Sequence, residues 1–263
     1  GDDWPDCYIL KALRYPGSQY SKEEAIRARK AFYAQCTQID YEIRLLIGTL
    51  RECNLLDDTI IVFLSDHGDM LFDHNMVAKR LMYDNSARIP LIITGKPALE
   101  YRGKGYEDKL ATMSDVMPTL LDMCGISIPD HVDGFPLFSS NKREYIYGEV
   151  SNGEKATRMI RNERYKLIYY PTGNVKQLFD MVNDPHETHD LSGTDEYKPI
   201  LESMEKTLIT ELYGSDLNWI KDGRLVGVEA PEEFQPNPDF GLYNQRGYHW
   251  PQPKGYSNKG KNA

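Results

Sequence analysis

Apolar positions along the chain fall into three textures. Over residues 22–53 they recur at Phe32, Cys36, Ile39, Ile43, Leu46, Ile47 and Leu50, the three-to-four spacing of a helix with one apolar stripe. Ser21-Lys-Glu-Glu24 just ahead is a capping box, in which the Ser21 hydroxyl accepts from the Glu24 amide and Glu24 reaches back. The second texture is continuous. Residues 60–65, Ile-Ile-Val-Phe-Leu-Ser, predict a buried parallel strand, because both faces are apolar and the residues suit a pleated surface. Residues 88–94 predict another strand, stopped by Gly95-Lys96-Pro97. A helix follows over 109–124 with Gly125 as its stop, and Pro118 is tolerable if that helix begins at Asp115. Beyond Gly134-Phe135-Pro136 comes the third texture, short β-prone runs at 144–150, 157–161 and 165–170. Asn162-Glu163-Arg164 makes the turn between the last two, and a final helix covers 197–213. The tail from Pro231, rich in Pro, Tyr, Asn and Gly, is expected to wrap the surface without regular structure. No strand is evident in residues 1–20, and no internal repeat appears.

These elements predict an α/β fold. The 22–53 helix should pack on one face of a sheet that has 60–65 in its interior. From about residue 141 a separate antiparallel sheet should carry the last helix. A chain of 263 residues accommodates this as one large unit and one small one. Net charge −9 argues against nucleic acid and against anionic membrane surfaces as partners. No stretch approaches the ~20 apolar residues of a membrane span. The opening Gly-Asp-Asp-Trp-Pro has no basic or apolar region of a signal peptide. Cys7, Cys36, Cys53 and Cys124 lack metal-ligand spacing. They are expected as buried free thiols, with a disulfide left open.

Candidate chemistry sits where the 60–65 run stops. Ligands in open α/β sheets bind beyond the carboxyl ends of strands. The residues there are Asp66, His67 and Gly68, an acid and an imidazole with a glycine that lets the backbone turn behind them. Alone, Asp-His-Gly reads equally well as a turn with Asp66 as a cap. The residues after it are Asp73-His74, Lys79 and Tyr83-Asp84-Asn85-Ser86-Ala87-Arg88-Ile89-Pro90.

In this order Ser65-Asp66-His67-Gly68, Asp73-His74, Lys79 and Tyr83 to Pro90 resemble the sulfatase family of the alkaline-phosphatase superfamily. There a strand ends in Ser-Asp-(His/Asn)-Gly, followed by Gly-Asp-His, a Lys and Tyr-Glu-x-x-x-Arg-Val-Pro. Phe72 stands where the family usually has Gly. Asp115-Val-Met-Pro-Thr-Leu-Leu121 resembles a further family segment. Leu178-Phe-Asp-Met and Asp184-Pro-His-Glu187 resemble the small C-terminal subdomain, with Asp190 in place of the family's Asn. Those C-terminal residues read as turn and cap chemistry.

The resemblance implies part of an alkaline-phosphatase-like sandwich with a mostly parallel sheet over residues 1–140, and a small α+β subdomain with an antiparallel sheet over 141–263. It implies Asp66 and His67 as metal ligands, with Ca²⁺ the expected ion and Mn²⁺ or Mg²⁺ the alternatives. Imidazole is a softer donor than calcium usually takes. Lys79 is implied as the sulfate-binding cation. His74 would touch substrate or brace the metal shell. Arg88 is expected to hold the strand entry through an ion pair with Asp84. His131, His186, His189 and His249 lie in loop contexts and are expected to be structural. The implied substrate is an aryl or carbohydrate sulfate ester, and the implied location is extracellular or periplasmic.

No Cys or Ser here begins the Cys/Ser-x-Pro-x-Arg motif that yields formylglycine; Ser127-Ile-Pro-Asp-His131 is the nearest string and has His in place of Arg. The nucleophile, its Arg and two acidic metal ligands are therefore expected upstream, on the N-terminal half of the enzyme as the same or a second chain. Two other readings remain. One is a phosphodiesterase or phosphonate monoester hydrolase of the same superfamily; the other is a non-catalytic binding or scaffold protein.

Overall fold

The computed structural model describes residues 10, 11, 14, 20–106, 108–230, 243, 244, 247 and 248. Helix α1, Lys22–Glu52, begins at the capping box, where Glu24 N–H donates to Ser21 Oγ at 3.3 Å and Ser21 N–H to Glu24 Oε2 at 2.8 Å. It ends because Asn54 turns left-handed at φ +58°. That turn lets Leu55 N–H reach Leu50 O at 2.9 Å and satisfies carbonyls the helix leaves open. No residue of α1 is buried. Of its predicted stripe, Phe32, Ile43, Ile47 and Leu50 are half-buried, while Ile39 and Leu46 face solvent. The expectation of a helix packed on a sheet face is thus met by partial cover only among the described residues.

The predicted site strand is β1, Ile61–Leu64. Its ladder partner is β2, Leu91–Thr94, and the pairing is antiparallel, with Ile61 opposite Thr94 and Leu64 opposite Leu91. This corrects the expected parallel, buried strand. Every β1 residue is half-buried, and β2 alternates half-buried with exposed. An all-apolar run reports that both faces meet apolar surface; it does not report which strand lies alongside. The turn into β2's following helix α3, Lys96–Arg102, requires Gly95, at φ +103° with Thr59 O only 2.2 Å from where a Cβ would stand. A one-turn helix, α2, Asp84–Ala87, precedes β2. Helix α4, Val116–Met123, is shorter than predicted, its entry being a 3₁₀ turn, Met113–Asp115, closed by Thr112 and Asp115.

The C-terminal sheet is an antiparallel meander, β3 Ile146–Val150, β4 Thr157–Arg161, β5 Tyr165–Tyr170 and β6 Val175–Asp180. The β4–β5 turn forms as predicted, with Asn162 Oδ1 accepting from Arg164 N–H at 2.9 Å and Tyr165 N–H at 2.7 Å. Period-2 alternation gives the sheet two apolar faces. On one, Met159, Ile168, Tyr170 and Phe179 pack against Met70, Met76, Leu81, Met82 and Tyr83 from the segment after β1. On the other, Ile160, Leu167, Tyr169 and Leu178 pack against Met204 and Leu208 of helix α5, Lys198–Glu211, and against Trp219. The site segment therefore lies on this sheet as one of its covering layers.

Two further expectations change. Cys36, Cys53 and Cys124 are free as predicted but exposed, two of them on or at the end of the uncovered α1. The tail lies mostly outside the described residues, but Tyr243–Asn244 and Gly247–Tyr248 pair antiparallel where irregular chain was expected.

Candidate functional site

Asp66 and His67 lie at the carboxyl end of β1, and a set of local bonds fixes their orientation. Ser65 Oγ donates to His67 O at 2.6 Å, and His67 N–H donates to Asp66 Oδ1 at 3.0 Å. His67 Nδ1 lies 2.8 Å from Gly68 O. A carbonyl only accepts, so Nδ1 carries the proton and Nε2 is the ring's free position. Nε2 then stands 3.3 Å from Asp66 Oδ2. In a neutral ring, lone pairs on both atoms face each other at that distance, an arrangement that a cation beside them resolves. The Nδ1–H to carbonyl bond is also the usual support of a metal-ligating imidazole. Asp66 is 78% exposed and His67 36%, so both donors are reachable. They suit a divalent cation. Among the described residues no third His, Cys, Asp or Glu joins them.

The backbone behind the pair is clamped. Gly68 N–H donates to Ser86 O at 2.8 Å, and a Cβ on Gly68 would stand 2.0 Å from Asn85 O. The next segment doubles back, with Met70 N–H on Ala78 O and Phe72 N–H on Met76 O. Leu71, Phe72, His74, Asn75, Ala78 and Arg80 all have positive φ. Each such non-glycine residue costs about 1–2 kcal/mol, so the surroundings must over-determine the loop. Fully buried Met70 and Met76 anchor it from below. From α1, Arg29 donates to Leu71 O at 2.5 Å and Asp73 Oδ1 at 2.6 Å. Asn85 Nδ2 donates to Asp73 Oδ2. Phe72, at φ +71°, occupies a backbone state that a glycine adopts freely.

His74 is half-buried and stacks on the Tyr83 ring at 4.8 Å. Burial holds its imidazole below the ordinary value, against the opposing pull of Asp73. Lys79 is half-buried, and among the described residues no hydrogen bond or ion pair engages its ammonium. Asp66 and His67 are thus brought together, and His74 sits on the same loop, tied to the pair through Asp73, Asn85 and Gly68.

Arg88 does not pair with Asp84. Its side chain is exposed, and only its amide bonds Asp84 O, at 2.8 Å. Asp84 instead takes Arg161 Nη1 on both oxygens, at 2.8 and 2.9 Å, and the Lys166 ammonium on Oδ1. Lys166 also reaches Glu187 Oε1 at 2.7 Å and Met82 O at 3.0 Å, and Glu187 Oε2 accepts from Asp84 N–H at 2.7 Å. Burial pushes the Asp84 carboxyl up, but the two cations outweigh it and hold it below the usual range. At Glu187 burial wins over Lys166 and the carboxyl is raised. The sequence reading missed this cluster. A lone lysine inside the apolar run Tyr165–Tyr170 was the available signal, since a buried ammonium needs an acid partner. Asp184 and Asp190 are caps as predicted, accepting from the amides of Thr188 and His189, and of Leu178 and Ser192.

Residues 72–213 match the family described as N-sulphoglucosamine sulphohydrolase, C-terminal, and residues 11–126 match the sulfatase family. An arylsulfatase of Clostridium perfringens is 36% identical over 214 residues, covering 78% of this chain and 44% of that protein. Human (Homo sapiens) arylsulfatase K is 31% identical over 201 residues, covering 70% and 37%. The chain therefore spans less than half the length of these relatives. A solved 2-O GAG sulfatase superposes with a TM-score of 0.74 at 25% identity, over 84% of this chain and 52% of that one. The phosphonate monoester hydrolase of Agrobacterium radiobacter shares the fold, with a TM-score of 0.64 at 23% identity over 80% and 47%.

Proposed function

This chain belongs to the sulfatase family of the alkaline-phosphatase superfamily, and from that premise we propose that it is the C-terminal portion of a metal-dependent hydrolase of aryl or carbohydrate sulfate esters. The observation that carries the reading is the pair Asp66 and His67, with Nε2 and Oδ2 at 3.3 Å on an exposed strand end and the ring proton committed to Gly68 O. These two residues would hold the cation, with Ca²⁺ the expected ion and Mn²⁺ or Mg²⁺ the alternatives. Bound there, it supplies positive charge against a sulfate oxygen. The Lys79 ammonium provides a second charge for the anion, and its freedom from ion pairing among the described residues leaves it available. The half-buried ring of His74, kept neutral by burial, faces the same loop as a bracing or substrate-contacting group.

Residues 1–140 contribute to the catalytic unit in this reading, and 141–263 form the C-terminal subdomain. The remaining ligands and a formylglycine nucleophile come from the N-terminal half, as the same or a second chain. The partly covered stripe of α1, where Ile39 and Leu46 face solvent, and the two-stranded β1–β2 sheet are the surfaces it would cover. Among the described residues no helix is long and apolar enough to cross a membrane; the extracellular or periplasmic location rests on the family resemblance. One observation favours a second reading, a phosphonate monoester hydrolase: imidazole is a better donor for transition metals than for calcium.

The test is turnover by the whole protein. It should hydrolyse nitrophenyl sulfate only with a divalent cation, Asp66→Ala should remove that activity without unfolding the chain, and a phenyl phosphonate monoester should be the poorer substrate. Full turnover in Asp66→Ala would overturn the assignment. Preference for the phosphonate would move the chain to the second reading.

A further inference from the structure

We propose that Lys166 and Glu187, in the C-terminal sheet and the loop after it, are positioning residues for the metal-ligand turn, acting through the backbone of residues 82–86. The proposal rests on the reading of Asp66 and His67 as cation ligands, but its geometry stands apart from any metal.

The grip on that backbone is unusually complete. Lys166 Nζ takes the Met82 carbonyl at 3.0 Å, Glu187 takes the Asp84 amide at 2.7 Å, and the Asp84 carboxylate is held by Lys166 and by both contacts of Arg161. Lys166 is 1% exposed and Glu187 2%. Neither of these two charges can relax into water, so each keeps the geometry its partners impose. Glu187 is itself held at φ +56°, a strained state for a side-chain residue, in the conformation that aims its carboxylate inward.

What this backbone holds in turn is the site. Tyr83 O accepts from Ser86 and Ala87 N–H and starts α2. Ser86 O receives Gly68 N–H, directly after His67. Asn85 O fills the space beside Gly68, and the Asn85 side chain binds Asp73, next to His74. The Tyr83 ring stacks on His74. The shortest contacts between the Gly68 turn and this segment end on Asn85 and Ser86, and those of Asp73 and His74 on Asn85 and Tyr83, while Arg29 of α1 grips the loop from another side. A structural ion cluster elsewhere in the sheet would not have this connection. The buried pair Arg158 and Asp216, for comparison, ties the β3–β4 ends to Trp219 on the opposite face.

The experiment compares the full chain with Lys166→Met, which keeps the stem and removes the ammonium, and with Glu187→Gln, which keeps the shape and removes the charge. Two quantities are read. One is hydrogen exchange of the Gly68 amide, with Val226 N–H, bonded to Trp219 O at 2.7 Å, as a control in the opposite core. The other is Mn²⁺ affinity by electron paramagnetic resonance, measured on the whole protein, which carries the remaining ligands. Supporting residues of a metal ligand typically change affinity 10–100-fold. The expected result is at least tenfold faster exchange at Gly68 with Val226 unchanged, and at least tenfold weaker Mn²⁺ binding. Unchanged Gly68 protection in a folded variant overturns the proposal. Equal acceleration at Gly68 and Val226 overturns it too, since that is general loss of stability. Should Lys166→Met unfold the chain, Glu187→Gln carries the same test. Absence of Mn²⁺ binding by the whole protein, which carries the remaining ligands, refutes the metal reading, while the Gly68 exchange still decides the positioning role.

Discussion

Replacing Gly68 by alanine adds one methyl group where the structure has no room for it. The new Cβ would stand 2.0 Å from Asn85 O and 3.0 Å from Asn85 C, against ordinary contacts of 3.4–4 Å. The obstacle is backbone, so no rotamer change relieves it. The 66–68 turn and α2 must separate by more than about 1 Å, which breaks the 2.8 Å bond from Gly68 N–H to Ser86 O. Overpacking of this kind costs about 1–3 kcal/mol, and the lost hydrogen bond adds about 1 kcal/mol. Gly68→Ala should therefore destabilise the chain by about 2–4 kcal/mol, a large part of the ~5–15 kcal/mol a domain has. Gly48 is the control. It lies inside α1 with nothing within 4 Å of an added Cβ, and there alanine should stabilise by about 0.5–1 kcal/mol through helix propensity. Urea denaturation of the two variants measures both signs. Gly68→Ala within 0.5 kcal/mol of the parent would refute the close-approach argument, as would a Gly48→Ala cost of similar size.

Burial keeps the His74 imidazole below its ordinary 6.5. As pH falls through 6.5 the unfolded chain takes up that proton first, so stability should decline from there down to the folded value; His74→Gln should flatten this slope in denaturation curves taken across pH. In the whole enzyme, Lys79→Ala should lower kcat/KM about 10²–10³-fold, and Lys79→Arg should not restore it, because a planar fork replaces a compact charge; near-normal turnover would return Lys79 to the ordinary surface. Arg158→Met leaves the buried Asp216 carboxylate without its 2.7 Å partner and should cost about 3–5 kcal/mol in urea denaturation, with Arg158→Met/Asp216→Leu recovering much of it.

Local order was legible in the sequence and long-range partnership was not. The capping box at Ser21 and Glu24, the hairpin at Asn162 and the start of α5 depend on neighbours within four residues, and they appear where the pattern put them. The sense of the β1 pairing was misread because an apolar run encodes burial and not direction. Arg88 was paired with Asp84 on proximity in sequence, whereas the true partners are 77 and 82 residues away. Asp66 and His67 were read from the end of the apolar run, and His74 from the resemblance of the segment after it to the sulfatase family. The left-handed backbone that shapes that loop did not, since Leu71, Phe72 and Ala78 are residues that ordinarily avoid it.

The distance along the chain between the site turn and its supports has a consequence in time. Asp84 meets Glu187 across 103 residues and Met82 meets Lys166 across 84. A ribosome adds about 5–20 residues per second. The ligand-bearing turn thus leaves the tunnel about 5–20 seconds before the supports that shape it do. Through that interval its strained backbone has no template, and Met70, Met76 and Tyr83 have no core to enter. The nascent segment is open to chaperones and proteases through that interval, and it closes only when the loop after the final strand of the meander brings Glu187.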